Sequence, residues 1–156
     1  MPAEAVDAPW AELVFEGPAL DAEVYLNGVC VGEHLNAFYP CRLNVAGRLR
    51  AGVNILAVIL DAGLHGVGER SASEYLPGRD DAPLHKRMWL RKPQYQFAWD
   101  WSPRLVNVGI FRPARLECQP RIDQVSAIPR LSADHTSAEL QVRVHLVNPP
   151  PSPTAC

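Results

Sequence analysis

Four aromatic residues alternate in one short stretch, Arg91-Lys92-Pro93-Gln94-Tyr95-Gln96-Phe97-Ala98-Trp99-Asp100-Trp101-Ser102-Pro103-Arg104-Leu105. In an extended chain, successive side chains point to opposite faces, so Tyr95, Phe97, Trp99 and Trp101 would share one face. Gln94, Gln96 and Asp100 would share the other. Three chemistries suit this pattern. Large aromatics dominate core energetics, so the stripe reads first as an aromatic-rich core strand. It reads equally as a carbohydrate platform, since sugars offer apolar C–H faces to rings and hydroxyls to Asp, Gln and Arg. Stacking of single-stranded nucleic acid is the third, with Lys86, Arg87, Arg91, Lys92 and Arg104 as the basic rim. The interleaved Asp100 and a net charge of −2 weigh against it.

The elements that must position this stretch are strands. Fifteen prolines in 156 residues leave little room for a helical bundle, because an interior proline removes a hydrogen bond and clashes with the preceding turn. Glu12–Glu16 reads as a short strand stopped by Gly17-Pro18. Ala22–Leu26 and Val29–Gly32 flank Asn27-Gly28, a pair suited to the two left-handed positions of a type I′ turn. That register sets Leu26 opposite Val29, Val24 opposite Val31, and Tyr25 opposite Cys30. Val53–Leu60 is apolar on both faces except at Asn54, as in a central strand covered on both sides. Residues 61–92 are polar and rich in Gly, Arg, Asp and Pro, a long loop of the kind that is usually functional or disordered. Strand character returns at Gln94–Trp101 and at Ala114–Cys118. From Ala138 to Leu146 alternation is almost perfect, with Leu140, Val142, Val144 and Leu146 on one face, and it stops before the run Asn148–Pro153. The expected fold class is therefore all-β.

Composition narrows the function. With 47% hydrophobic and 21% charged residues the chain is globular in character. The small net charge gives no reason to expect nucleic acid or an anionic membrane as partner. The longest apolar run, Ile55–Leu60, is too short to span a bilayer, and residues 1–10 show no signal peptide, so the expected location is cytoplasmic. Cys30, Cys41, Cys118 and Cys156 lack CxxC spacing and are expected as reduced thiols, two or three of them buried. No HExxH or paired-cysteine motif marks a metal, and no cofactor is expected. Gly63-Leu64-His65-Gly66-Val67-Gly68 departs from both phosphate-loop patterns and reads as a flexible loop, and Asp80-Asp81 as a solvated tip.

Taken together, RKPQYQFAWDWSPRL and the following Val108-Gly109-Ile110-Phe111-Arg112-Pro113 resemble the β-mannosidase branch of the family-2 glycoside hydrolases. Its N-terminal jelly-roll domain carries a segment like RKxQYxFGWDWGPRL…GIWRPVxLE. The upstream LVFEG and AEVYLNG pieces resemble strands of the same domain, so the likeness runs over roughly residues 12–118. It implies a jelly-roll β-sandwich, galactose-binding-domain-like, over 1–119, followed by the first strands of an immunoglobulin-like β-sandwich over 120–156. Both ends are then expected to be incomplete.

By this resemblance Asp100 is the sugar-contacting acceptor and Trp99 the pocket wall beside it, serving a β-mannoside held by a neighbouring TIM barrel. Trp101, Tyr95 and Phe97 fall to the core, and Arg91 and Arg104 orient Asp100 or bridge to the barrel. Three departures stand inside the motif: Ala98 and Ser102 replace glycines, and Phe111 replaces a tryptophan. Retaining hydrolysis needs two carboxylates about 5–5.5 Å apart. The family holds both on a barrel of about 200 residues or more, the acid/base in an Asn-Glu pair. No asparagine here precedes a glutamate, so the expectation is an accessory, non-catalytic part of a β-mannosidase. The alternative is a free-standing carbohydrate-binding or interaction module.

Overall fold

The computed structural model describes residues 3–74, 77–78, 85–97, 100–101 and 103–147. The chain divides into two compact units, Met1–Glu117 and Cys118–Cys156. The fold is all-β, apart from a one-turn helix α1 (Ala3–Val6) and short 3-10 turns. No helix among the described residues is long and apolar enough to cross a membrane.

Six strands build the first unit: β1 (Glu12–Phe15), β2 (Asp21–Leu26), β3 (Val29–Leu35), β4 (Cys41–Asn44), β5 (Leu56–Asp61) and β6 (Ala114–Glu117). They form two three-stranded antiparallel sheets, ordered β4-β1-β6 and β3-β2-β5. Alternation explains the packing. Ala22, Val24 and Leu26 on β2 are buried, while Asp21, Glu23 and Tyr25 between them are partly open. Phe15, Cys41 and Leu43 of one sheet pack with Val24 of the other, and Leu13, Val31 and Val58 close the cluster. This is a sandwich core drawn from both sheets. On the outer face of the first sheet Arg42 bridges Glu12 at 3.2 Å and Glu117 at 2.8 Å. Arg115 joins Glu117 at 2.7 Å and also pairs with Glu16. Burial would raise the Glu117 carboxyl, but hydrogen bonds from the Arg42 and Arg115 guanidiniums outweigh it and hold the group below the usual glutamate range.

The Asn27-Gly28 turn forms as its sequence dictates, with φ of 54° and 84°. Leu26 faces Val29 and Tyr25 faces Cys30, but a bulge then sets Val24 opposite Gly32 rather than Val31. Leu43 packs closely on Gly32 there: a Cβ at Gly32 would lie 2.5 Å from Leu43 Cδ2. Val31 becomes the extra residue and turns to the core cluster. Asn54, the polar exception in its apolar run, is a tie. Its Oδ1 accepts from Asn27 Nδ2 at 2.9 Å, and Asn27 Oδ1 accepts from the Ile55 N–H at 3.0 Å.

Three further expectations need correction. The run ending in β5 does not form a central strand. β2 takes the centre, β5 pairs with it alone, and Val53, Ile55 and Ile59 stay 85%, 69% and 58% exposed. Of the described cysteines only Cys41 is buried, where the apolar surround pushes its thiol up to about 11, while Cys30 is exposed and Cys118 half-buried. The Gly63 loop is held rather than loose. Gly63 has φ of 89°, a Cβ there would meet Leu20 Cδ2 at 2.2 Å, and its N–H donates to Asp61 Oδ1 at 2.7 Å.

The second unit, taken by itself, is a hairpin of β7 (Arg121–Leu131) and β8 (Ala138–Val147). Ser132 Oγ and Thr136 Oγ1 donate to the two carboxylate oxygens of Asp134 at the turn, and His135 takes φ of 57°. Pro129 sits within β7, which is tolerable because each strand of a two-stranded pair is an edge. The aliphatic face of β8 is present as expected, with Leu140, Val142, Val144 and Leu146 about half exposed. The tail 148–156, including the proline run and Cys156, and the Asp80-Asp81 tip lie outside the described residues.

Candidate functional site

The stretch expected as a fifth aromatic strand is instead a 3-10 turn over Gln94–Phe97, followed by a turn at Asp100-Trp101. Local hydrogen bonds decide this. Gln94 Nε2 donates to the carbonyls of Arg87, Leu90 and Lys92 at 3.0, 3.5 and 3.2 Å, and the Gln96 N–H closes on Pro93 O at 3.2 Å. The bond to Arg87 ties back to the preceding 3-10 turn, His85–Trp89, and the set winds the chain instead of extending it. With three residues per turn, alternate residues no longer share a face. Phe97 is fully buried, whereas Tyr95 is 63% and Trp101 81% exposed. Among the described residues of the stripe only Phe97 belongs to the core, and Trp101 stands outside it.

Lys92 is the residue that pattern reasoning missed. Its spacing places it on a basic rim, yet it is 2% exposed, a buried charge. Its ammonium donates to Ala19 O at 2.7 Å and to Asn107 O. Burial pushes the lysine below its ordinary range, and the Asp61 carboxylate opposes that shift. The arrangement pins the 103–109 segment to the connection between β1 and β2. Nothing in composition or spacing marks such a lysine. Its one signal is position, two residues before the turn that buries Phe97. The same region is cross-tied by Trp89 Nε1 to Ser71 O at 3.1 Å, by Lys86 Nζ to Gly68 O at 2.8 Å, and by Arg70 lying 5.2 Å over the Trp89 ring.

Asp100 consequently sits in a turn whose flanks are both anchored, by buried Phe97 on one side and by the Lys92 grip on Asn107 on the other. Asp100 itself is exposed. Trp99, Ala98 and Ser102 lie outside the described residues. Arg91 and Arg104 are exposed, and no ion pair among the described residues joins either to Asp100. Arg91 instead lines a cleft of about 380 Å³ with Asp21, Glu23, Glu33, Arg70 and Trp89. There burial first, then Asp61, Glu23 and Glu33, raise the Asp21 carboxyl.

A larger cleft of about 660 Å³ is lined by Lys92, Phe38, Tyr95, Gln96, Phe111 and Arg112 among others. Neither cleft includes Asp100. Among the described residues no group of three or more His, Cys, Asp and Glu side chains is placed to hold a metal ion.

Comparison with known proteins agrees with the all-β fold. Residues 1–112 match the family described as glycosyl hydrolase 2 galactose-binding domain-like. Beta-mannosidase B of Aspergillus terreus is 32% identical over 139 residues, covering 82% of this chain and 16% of the relative. Beta-mannosidase B of Thermothelomyces thermophilus is 34% identical over 119 residues, covering 69% and 13% respectively. The crystal structure of a beta-D-mannosidase from Dictyoglomus thermophilum superposes with a TM-score of 0.75 at 29% identity, covering 94% of this chain and 18% of that one. The chain thus spans less than a fifth of the length of these relatives.

Proposed function

This chain belongs to the glycosyl hydrolase 2 galactose-binding domain-like family, and from that premise we propose that it is the accessory sugar-binding-like part of a β-mannosidase, a retaining hydrolase of terminal β-D-mannosides. It supplies no catalytic carboxylate. Its contribution is Asp100, with Trp99 beside it, offered to a sugar held chiefly by a TIM barrel elsewhere in the complete protein. One observation carries the reading: the aspartate of the aromatic motif is exposed on a turn braced on both flanks, by Phe97 and by Lys92. A hydrogen-bond acceptor that must meet a substrate hydroxyl on another domain needs that combination of exposure and fixed position. The amphipathic β7–β8 hairpin is read as the opening of an immunoglobulin-like domain, with an apolar face made for further strands.

Two measurements test the proposal. The 156-residue chain should give no turnover of an aryl β-mannoside, and measurable turnover by the pure chain would overturn it. Joined to the barrel of a β-mannosidase, it should lose at least about ten-fold in kcat/KM on Asp100→Ala, the scale of one lost substrate hydrogen bond. An unchanged kcat/KM would reduce the domain to a scaffold. The alternative, a free-standing carbohydrate-binding module, is favoured by the larger cleft alone.

A further inference from the structure

We propose that the open edge of β5 pairs antiparallel with β5 of a second copy of this chain, closing a two-fold dimer through one continuous sheet. β5 is hydrogen-bonded to β2 alone, so its other side is an edge. Ile55 fixes which groups face outward. Its carbonyl accepts from the Asn27 N–H at 2.8 Å and its N–H donates to Asn27 Oδ1 at 3.0 Å, so both point toward the β2 side. Backbone groups alternate sides along a strand, which turns the N–H and C=O of Leu56, Val58 and Leu60 outward. Among the described residues these outward groups have no hydrogen-bond partner.

This edge lacks the guards that the other outer strands of the first unit carry. β4 holds Arg42, β6 holds Arg115 and Glu117, and β3 is bent by its bulge and carries Glu33 and His34. From Val53 to Leu60 there is neither charge nor proline, and the register of β5 on β2 runs without a shift. Val53, Ile55, Leu56 and Ile59 are 85%, 69%, 43% and 58% exposed. Leu56 lies opposite Leu26 on the core-facing row, yet Leu26 is 4% exposed and Leu56 is left half open. The occupant follows from the register. A two-fold axis at Val58 sets Val58 against Val58 of the second copy and Leu56 against Leu60, so the outward groups are exchanged within hydrogen-bonded pairs. Leu56 then packs beside Leu60 on the inner row, and Ala57 beside Ile59 on the outer one. Asp61, the first charge after the run, meets Ile55 of the second copy, so no like charges oppose each other. An isologous contact of this kind consumes the edge and closes at two copies.

The test is sedimentation velocity of the 156-residue chain over about 1 μM to 1 mM, read together with amide hydrogen exchange. Strand-edge contacts lie at the small end of interfaces, and a Kd of about 10–100 μM is expected. Across that range the amides of Leu56, Val58 and Leu60 should slow at least about five-fold. Leu56→Pro removes an outward N–H that bonds nothing in the monomer, and Ile59→Lys puts a charge at an exposed position outside the core. Each should weaken dimerisation at least about ten-fold. Val144→Lys, on the apolar face of the hairpin, should leave it unchanged. A monomer at every concentration overturns the pairing. So does association that Ile59→Lys leaves intact, or that Val144→Lys abolishes, which assigns the contact to the hairpin. Growth beyond two copies overturns the closed two-fold. None of these outcomes bears on Asp100.

Discussion

Two strands with the same alternating pattern end in opposite environments. On β2, Ala22, Val24 and Leu26 are 1%, 1% and 4% exposed; on β8, Leu140, Val142, Val144 and Leu146 are 59%, 54%, 52% and 48% exposed. Both were written by period-two hydrophobicity, and both pair antiparallel with a neighbour. The difference is a second layer. β2 lies under a facing sheet that supplies Phe15, Cys41 and Leu43, while β8 has only β7 beside it among the described residues. Alternation therefore specifies which face asks for burial, and the presence of an opposing sheet decides whether burial is obtained.

That contrast can be broken or sharpened by experiment. The largest effect is expected from Phe15→Ala, which empties a ring that is 2% exposed in the sandwich core. It should destabilise the first unit by about 3–5 kcal/mol in denaturant unfolding. The matching substitution in the hairpin, Val144→Ala, should stay within about 0.5 kcal/mol. Equal losses would mean that the β8 face is covered in solution. Hydrogen exchange gives the same comparison without substitution, with β2 amides protected to the global limit and β8 amides exchanging by local opening.

Next in size is Lys92→Met, which keeps the buried stem but leaves the carbonyls of Ala19 and Asn107 without their donor. A cost of about 1–3 kcal/mol is expected, together with faster proteolysis across 103–109. Gly32→Ala should cost a similar 1–3 kcal/mol by overpacking, because the new methyl meets Leu43.

The smallest effects are in acid. Glu117 has a folded pKa below its unfolded value near 4.5, so its stabilisation of the first unit is complete above that pH. It is lost as pH falls through the lowered folded value. Glu117→Gln should flatten the acid limb of the melting curve. In the hairpin, hydrogen bonds from Ser132 and then Thr136 hold Asp134 at about 2, against 3.8 when unfolded. Its support for the turn is complete above about 3.8 and fades toward about 2, so the β7–β8 amides should loosen only below the pH at which the sandwich begins to weaken.

The fold was largely legible because its signals are local. Asn27-Gly28 chose the turn, Gly17-Pro18 ended β1, and alternation marked β2 and β8. The aromatic segment was not, and the failure is instructive. Alternation from Tyr95 to Trp101 satisfies the strand rule, yet Gln94 and Pro93 commit the backbone to a 3-10 turn through bonds to carbonyls as far back as residue 87. The run ending in β5 was likewise recognised as a strand, but its apolar content suggested a central place that β2 occupies. The motif singled out Asp100 as a candidate, while the burial of Lys92 carried no signal that spacing could reveal.

The sequence by itself determined an all-β chain, the registers nearest its tight turns, the resemblance to β-mannosidases, and the lack of an Asn-Glu pair. These follow from nearest-neighbour backbone preferences and from residue identity. Only the tertiary structure decided which apolar faces found a partner, where the bulge at Gly32 falls, and that Lys92 is an internal brace and Gln96 Oε1 a buried acceptor without a donor among the described residues. Each of those depends on atoms distant in sequence: Leu43 against Gly32, Ala19 and Asn107 against Lys92, Phe38 and Phe111 beside Gln96. Burial and hydrogen-bond satisfaction are properties of such assembled neighbours, and a linear pattern can request them without being able to supply them.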